Sequence, residues 1–222
     1  RGVNLAGNSK QPVGANCASH VRDGFYEGAA GCSFVGRPFA LEEAEVHFNR
    51  LRAYGCNVVR LLVLWEAVEH AGPGEYDEAY LSYLAAVVAR ADAYGICVYV
   101  DPHQDVWSRF SGGDGAPAWT FAAAGLDITK FTETGAALLH ATFEPCAAFP
   151  RMAWPTNMFK LACGTMFSLF WAGDTLAPQC TVDGENIGLY LQRHYTQAMA
   201  RVATALAACP NVVGFGVMNE PL

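Results

Sequence analysis

Four short apolar runs, none alternating with polar residues, recur along the chain at residues 2–6, 57–65, 96–100 and 212–218. Runs of this length without alternation suit parallel strands covered on both faces. The segments between them read as helices. Residues 41–54 place Leu41, Ala44, Phe48 and Leu51 at helical spacing. Glu42, Glu43 and Glu45 fill the first turn, where the helix dipole favours acids, and Gly55 ends the segment. Asp77 caps a second helix, 77–94, and a third covers 186–209 before Pro210. The resulting order, β-α-β-α-β-insert-α-β, predicts an α/β fold with parallel strands and right-handed crossovers.

Four strands do not close a barrel, which takes eight strands and typically about 250 residues. The expectation is the N-terminal half, about four β/α units, of a TIM (β/α)8 barrel, with residues 1–222 forming one partial domain. A complete open sheet is the alternative, and it would leave the run 212–218 as an unpaired edge. Residues 7–40 read as irregular loop. A long insert follows the third strand, at about 106–184, and its length marks it as functional or as a small subdomain.

The formal charge of −7 and the lack of any Lys/Arg cluster argue against a nucleic-acid partner. No apolar run reaches the ~18 residues of a membrane helix. The chain begins at Arg1 rather than Met, which reads as a piece of something longer. Eight cysteines occur without a C-x-x-C pair, so neither a zinc nor a redox motif is expected. Cys56 and Cys97 border apolar runs and read as buried, reduced thiols. Free thiols imply an intracellular protein, cytoplasmic or vacuolar, with a loop disulfide as the alternative.

In a (β/α) barrel, catalytic groups sit where strands end, on the C-terminal face. The last run ends in Asn219-Glu220-Pro221, and Pro221 stops the strand because it has no N–H for the ladder. Arg60 lies inside the second run, and Asp101-Pro-His103-Gln-Asp105 closes the third. Each has a bland alternative: a polar turn at 219–221, an ion pair from Arg60 to Glu66 or Asp101, and a satisfied core histidine at 103. Their joint occurrence at strand ends favours a site. No H-E-x-x-H or related spacing suggests a metal, and no cofactor is expected. A strand-end Lys or a phosphate-binding Gly loop, as an aldolase or lyase would need, is missing from the sequence.

Gly2-Val-Asn4, Val59-Arg60-Leu61, Asp101-Pro-His103-Gln and Asn219-Glu220-Pro221 resemble the successive strand motifs of glycoside hydrolase family 5. Three further stretches resemble its endoglycoceramidase-related branch, in particular the fungal glucosylceramidases and steryl-β-glucosidases. They are His103-Gln-Asp-Val106, Gly112-Gly-Asp-Gly-Ala-Pro-Ala-Trp119 and Leu161-Ala-Cys-Gly-Thr-Met-Phe-Ser-Leu-Phe-Trp-Ala-Gly173.

The resemblance implies a retaining β-glucosidase acting on glucosylated lipids, with two carboxyl groups about 5–5.5 Å apart. It makes Glu220 the acid/base, its pKa raised by a largely apolar wall. Asn219 would bind the sugar 2-hydroxyl, and Arg60 would keep the nucleophile ionised. His103, Asp105 and Lys10 would hold glucose hydroxyls. Trp119 is either a stacking platform or core packing. The family's nucleophilic Glu follows a seventh strand, so no Glu here takes that role, and Glu66 reads as structural. The 222-residue chain alone is therefore expected to be inactive, and an inactive sugar- or lipid-binding fragment is the alternative reading. The insert stretch from Met158 to Trp171 is either ordinary core or an apolar lip for a ceramide or sterol, with contact to a membrane surface.

Overall fold

The computed structural model describes residues 1–6, 8–14, 24–139 and 154–222. Its main sheet has four parallel strands in the order β1-β2-β3-β6, formed by Gly2–Leu5, Val58–Leu64, Cys97–His103 and Val212–Phe215. The crossovers carry α1 (Ala44–Ala53), α2 (Trp65–Glu69), α3 (Glu78–Ala93) and α6 (Ile187–Ala205). The alternation and parallel order are those of part of a (β/α)8 barrel.

The sheet's two faces differ in a way the register explains. Val59, Leu61 and Val63 of β2 share a face with Val98 and Val100 of β3. That face is buried in one core with Phe48 of α1, Leu84, Val87 and Val88 of α3, and Leu191 and Val202 of α6. The opposite face pairs Arg60 with Tyr99, Leu62 with Asp101 and Leu64 with His103. It is more open at its lower end, where Tyr99 is 37% exposed. All polar groups singled out on β2 and β3 therefore point to one side.

Helix ends follow local chemistry. Asp77 caps α3 by accepting the Tyr80 N–H at 2.8 Å, and Asn186 caps α6 by accepting the Gly188 N–H at 2.9 Å.

Several boundaries differ from the sequence reading. β3 continues through Asp101-Pro102-His103 instead of ending at Val100. Pro102 fits there because it serves as an acceptor, its carbonyl taking the Asn219 N–H at 2.9 Å. The second strand stops at Leu64, and Trp65 opens the short helix α2. The final run is a strand only over Val212–Phe215, and its residues are half-buried or exposed, not fully covered. It forms one edge of the described sheet, and an irregularity opposite Val98 and Tyr99 disturbs its register.

The insert is largely ordered among the described residues. It contains α4 (Trp119–Ala123) and α5 (Leu161–Leu176), the latter kinked at Ala172. A two-stranded hairpin, β4 (Thr181–Val182) with β5 (Glu185–Asn186), then leads directly into α6. α5 packs on α6, so the insert shares the barrel's core, with Met166, Phe167 and Phe170 buried in it.

Six cysteines, 32, 56, 97, 163, 180 and 209, carry free thiols, while Cys17 and Cys146 lie outside the described residues. Cys56 and Cys97 are half-buried where full burial was expected. Burial pushes the Cys163 thiol up to about 12. Among the described residues no helix is long and apolar enough to cross a membrane.

Candidate active site

The C-terminal ends of the strands bring together residues distant in sequence. Arg60 donates from Nη2 to Asn219 Oδ1 at 2.7 Å, and the same nitrogen lies 2.9 Å from Asp101 Oδ2. Asp101 Oδ2 also faces His103 Nδ1 at 2.7 Å. Arg60 is thus the ion-pair partner of Asp101, one of its two bland alternatives, while it also orients the Asn219 amide. The two roles are compatible because one guanidinium carries five donors.

His103 has a second carboxylate on its other ring nitrogen, Asp105 Oδ2 at 3.4 Å from Nε2. Burial works against the imidazolium, but the hydrogen bonds to Asp101 and Asp105 outweigh it and raise His103 to about 9. The ring is therefore cationic at neutral pH.

Asp105 and Asp114 face one another across a small two-bond bridge, each backbone N–H donating to the other's carbonyl at 3.0 Å. The ammonium of Lys10 joins them, ion-paired with Asp105 and 3.5 Å from Asp114 Oδ2. Burial would raise Asp105, yet hydrogen bonds from His103 and Lys10 hold it down at about 2. Burial and the Asp105 charge push Asp114 well above the ordinary carboxylate range. Burial also disfavours the Lys10 ammonium, and the attraction of Asp114 and Asp105 more than restores it. At neutral pH the cluster sets the cationic Lys10 and His103 against the anionic Asp105, with Asp114 held above the ordinary carboxylate range by burial and by Asp105. Such a set of donors and acceptors suits a polyhydroxyl ligand, and Lys10, the most exposed of the four, is reachable from solvent.

His103, Asp105 and Asp114 offer ligand atoms that all lie within 4.8 Å of one another, the spacing a metal ion would use. The Lys10 ammonium already sits against the two carboxylates and supplies the cation there.

Glu220 follows Asn219 at the end of the last run and has a left-handed backbone, φ 39°. Its carboxylate is exposed, so the apolar wall expected around it is not formed by the described residues. Trp119 is half-buried in α4. Its indole N–H donates to the Glu69 carbonyl at 2.7 Å, and its ring packs edge-on against Trp65 at 5.4 Å and His194 at 5.2 Å. These contacts fit the core-packing alternative for Trp119. Glu66 is buried and accepts from Arg109 Nε at 2.8 Å, in keeping with a structural role.

Sequence reasoning did not single out three residues of the site: Asp114, Gln104 and, as more than a partner for Arg60, Asp101. Asp114 stands in the Gly112-Gly-Asp-Gly stretch, whose glycines were the available signal. Gln104 was visible only as a neighbour of His103.

Parallel strands, helical crossovers and a polar site at the strand ends are what part of a (β/α) barrel presents. A family model for cellulases, glycosyl hydrolase family 5, matches residues 23–222, and the chain belongs to that family. It is 47% identical over 226 residues to a glucosylceramidase of Aspergillus fumigatus, covering 100% of this chain and 30% of that protein. It is 43% identical over 243 residues to an ergosteryl-beta-glucosidase of Saccharomyces cerevisiae, covering 100% of this chain and 32% of the relative. The crystal structure of Cryptococcus neoformans sterylglucosidase 1 with tris superposes with a TM-score of 0.92 at 44% identity, covering 100% of this chain and 32% of that one. The chain thus spans about a third of the length of these relatives.

Proposed function

We propose that the full-length protein is a retaining β-glucosidase that hydrolyses glucosylated lipids, steryl glucoside or glucosylceramide. The relatives' activities support the substrate class. The observation that carries the reading is the strand-end cluster, in which Arg60 orients Asn219 beside Glu220 while His103, Asp105, Asp114 and Lys10 form a polar cradle of alternating charge.

In this reading Glu220, as the neutral acid, gives its proton to the glycosidic oxygen as the bond from that oxygen to the anomeric carbon breaks. A carboxylate supplied from outside this chain forms the glycosyl bond to the anomeric carbon. Glu220, now a carboxylate, takes a proton from the water that displaces the enzyme and restores the configuration. Asn219 binds the 2-hydroxyl, and His103, Asp105 and Lys10 hold the remaining hydroxyls. Arg60, beside Asn219, supplies positive charge towards the incoming nucleophile. Exposed apolar side chains on the insert support the lipid side of the reading: Phe159 at 91% exposure, with Leu161, Trp171 and Leu176. They suit an apolar aglycone or a membrane surface. The free thiols support a reducing compartment.

The test is Glu220→Gln in the full-length protein, assayed on a lipid or alkyl glucoside and on an aryl glucoside with an activated leaving group. Loss of acid catalysis lowers turnover of the unactivated substrate by about 10²–10⁴-fold and spares the activated one. Equal losses on both substrates would sink the acid/base assignment. The 222-residue chain, assayed alongside, is expected to turn over neither substrate. Turnover abolished in it by Glu220→Gln would place the second carboxylate within these residues.

A further inference from the structure

We infer that Gln104 is the positioning residue that holds Glu220 in place for proton transfer; the inference rests on the reading of Glu220 as acid/base. Gln104 directly follows β3 and is 7% exposed. Its side-chain oxygen accepts the Trp107 N–H at 2.9 Å. That contact fixes which end of the amide is which, and leaves the amide nitrogen facing the last strand. The nitrogen donates to the carbonyl oxygens of both Asn219, at 2.7 Å, and Glu220, at 2.9 Å. The Gln104 carbonyl in turn accepts from Asn219 Nδ2 at 2.9 Å. One residue therefore clamps the dipeptide by its main chain and by the Asn219 side chain.

Three departures from ordinary backbone geometry surround this clamp. Val106 and Trp107 both lie in the left-handed region, φ 47° and 80°, which a β-branched and an aromatic residue rarely adopt. This turn presents the Trp107 N–H to Gln104. Gly115 lies opposite, where an added Cβ would come within 2.5 Å of Gln104 Cβ, so only glycine leaves room for the side chain. The third departure is Glu220 itself, whose left-handed φ needs support from its surroundings. Among the described residues its carboxylate has no hydrogen-bond partner, and the bond from Gln104 to its carbonyl is the contact that restrains it. Arg60 holds the neighbouring side chain; Gln104 holds the backbone from which the acid projects.

Placement matters to the rate because proton transfer depends on distance and direction. A shift of about 1 Å at a reacting group costs on the order of 10²-fold. Gln104 acts on this through Glu220 and touches no reacting atom.

The experiment uses the full-length protein with Gln104→Met, which keeps the length and removes the hydrogen bonds. Gln104→Glu is made beside it, keeping the acceptor for Trp107 and turning a donor into an acceptor towards the two carbonyls. Each is assayed on an alkyl β-glucoside and on a dinitrophenyl β-glucoside, with Glu220→Gln in parallel and thermal melting of all variants. The expected result is a fall in kcat of about 10²-fold on the alkyl glucoside. On the dinitrophenyl glucoside kcat changes less than about threefold, and KM does likewise on both. If Glu220→Gln shows this split and the Gln104 variants lose both substrates equally, or lose neither, Gln104 has no positioning role while Glu220 keeps its own. If Glu220→Gln shows no split, the acid/base reading falls and the role of Gln104 falls with it. If neither Gln104 variant folds, the residue is structural and the inference is overturned.

Discussion

Gly113 and Asp105 approach so closely that a Cβ on Gly113 would lie 1.9 Å from the Asp105 carbonyl oxygen. The two backbone bonds between Asp105 and Asp114 depend on that approach, and they set the distance between the two carboxylates of the cluster. Because the obstructing atom is backbone, it has no rotamer in which to escape. Gly113→Ala is therefore expected to lower stability by about 3 kcal/mol. Denaturant unfolding of the full-length variant checks this, and an unchanged midpoint would mean that the turn can move aside at little expense.

His103 makes stability depend on pH. Its folded pKa, about 9, lies above the ordinary histidine value of about 6.5. The stabilisation is thus whole below about pH 6.5 and is lost as pH rises through about 9. The charged groups around the ring are Asp101, Asp105, Asp114 and Lys10. Thermal midpoints recorded from pH 6 to 10 should decline across that window in the wild type and much less in His103→Gln. Parallel curves for the two proteins would show that another group carries the slope.

Lys10 fills the place of a cation. In Lys10→Met the buried Asp105 and Asp114 lose their counter-charge, and His103, Asp105 and Asp114 become free to converge on an ion. The variant should be less stable than the wild type and should gain a rise in Tm on addition of Mn²⁺ or Zn²⁺. The wild type should show no such response. Indifference of the variant to both metals would mean that the three side chains do not form a ligand set.

Arg60 ties Asp101 to Asn219, so its loss should disturb the site regardless of the leaving group. Arg60→Ala in the full-length protein is expected to lower turnover of alkyl and aryl glucosides alike, on the order of 10²-fold. Normal turnover in that variant would reduce Arg60 to a structural ion pair with Asp101.

Strand β2 was legible because a strand buried on both faces loses its polar alternation, as Val58–Leu64 does apart from Arg60, whereas β1 and β6 carry apolar runs that stay exposed or half-buried in the described sheet. Where a strand carries its chemistry inside its own span, that signal misleads. Asp101-Pro-His103 reads as the close of the third run, yet it extends β3, because the polar side chains find partners on one face and Pro102 acts as an acceptor. Trp65 is apolar and so reads as strand, but nothing in its character distinguishes a strand end from the first turn of α2. α5 escaped notice because it is apolar nearly all round, and a helix without a polar face has no periodicity to show. In the site, Arg60, His103, Asp105, Asn219 and Glu220 could be picked out by type and place, and Lys10 by the family resemblance alone. Which of them touch could not. The partners of Asn219 and Glu66 are set by packing across long stretches of chain, as is the choice of Asp101 over Glu66 as the carboxylate for Arg60.

Those long stretches set an order of events during synthesis. The Asp101–His103 contact joins residues two apart, whereas Arg60 and Asn219 are separated by 159 residues and Gln104 and Glu220 by 116. At about 5–20 residues per second, 116 residues take roughly 6–23 s to make. Through that interval Arg60 and Gln104 exist in the nascent chain without their partners on the last strand. The contacts of Asn219 and Glu220 are thus the last of the cluster that the growing chain can form.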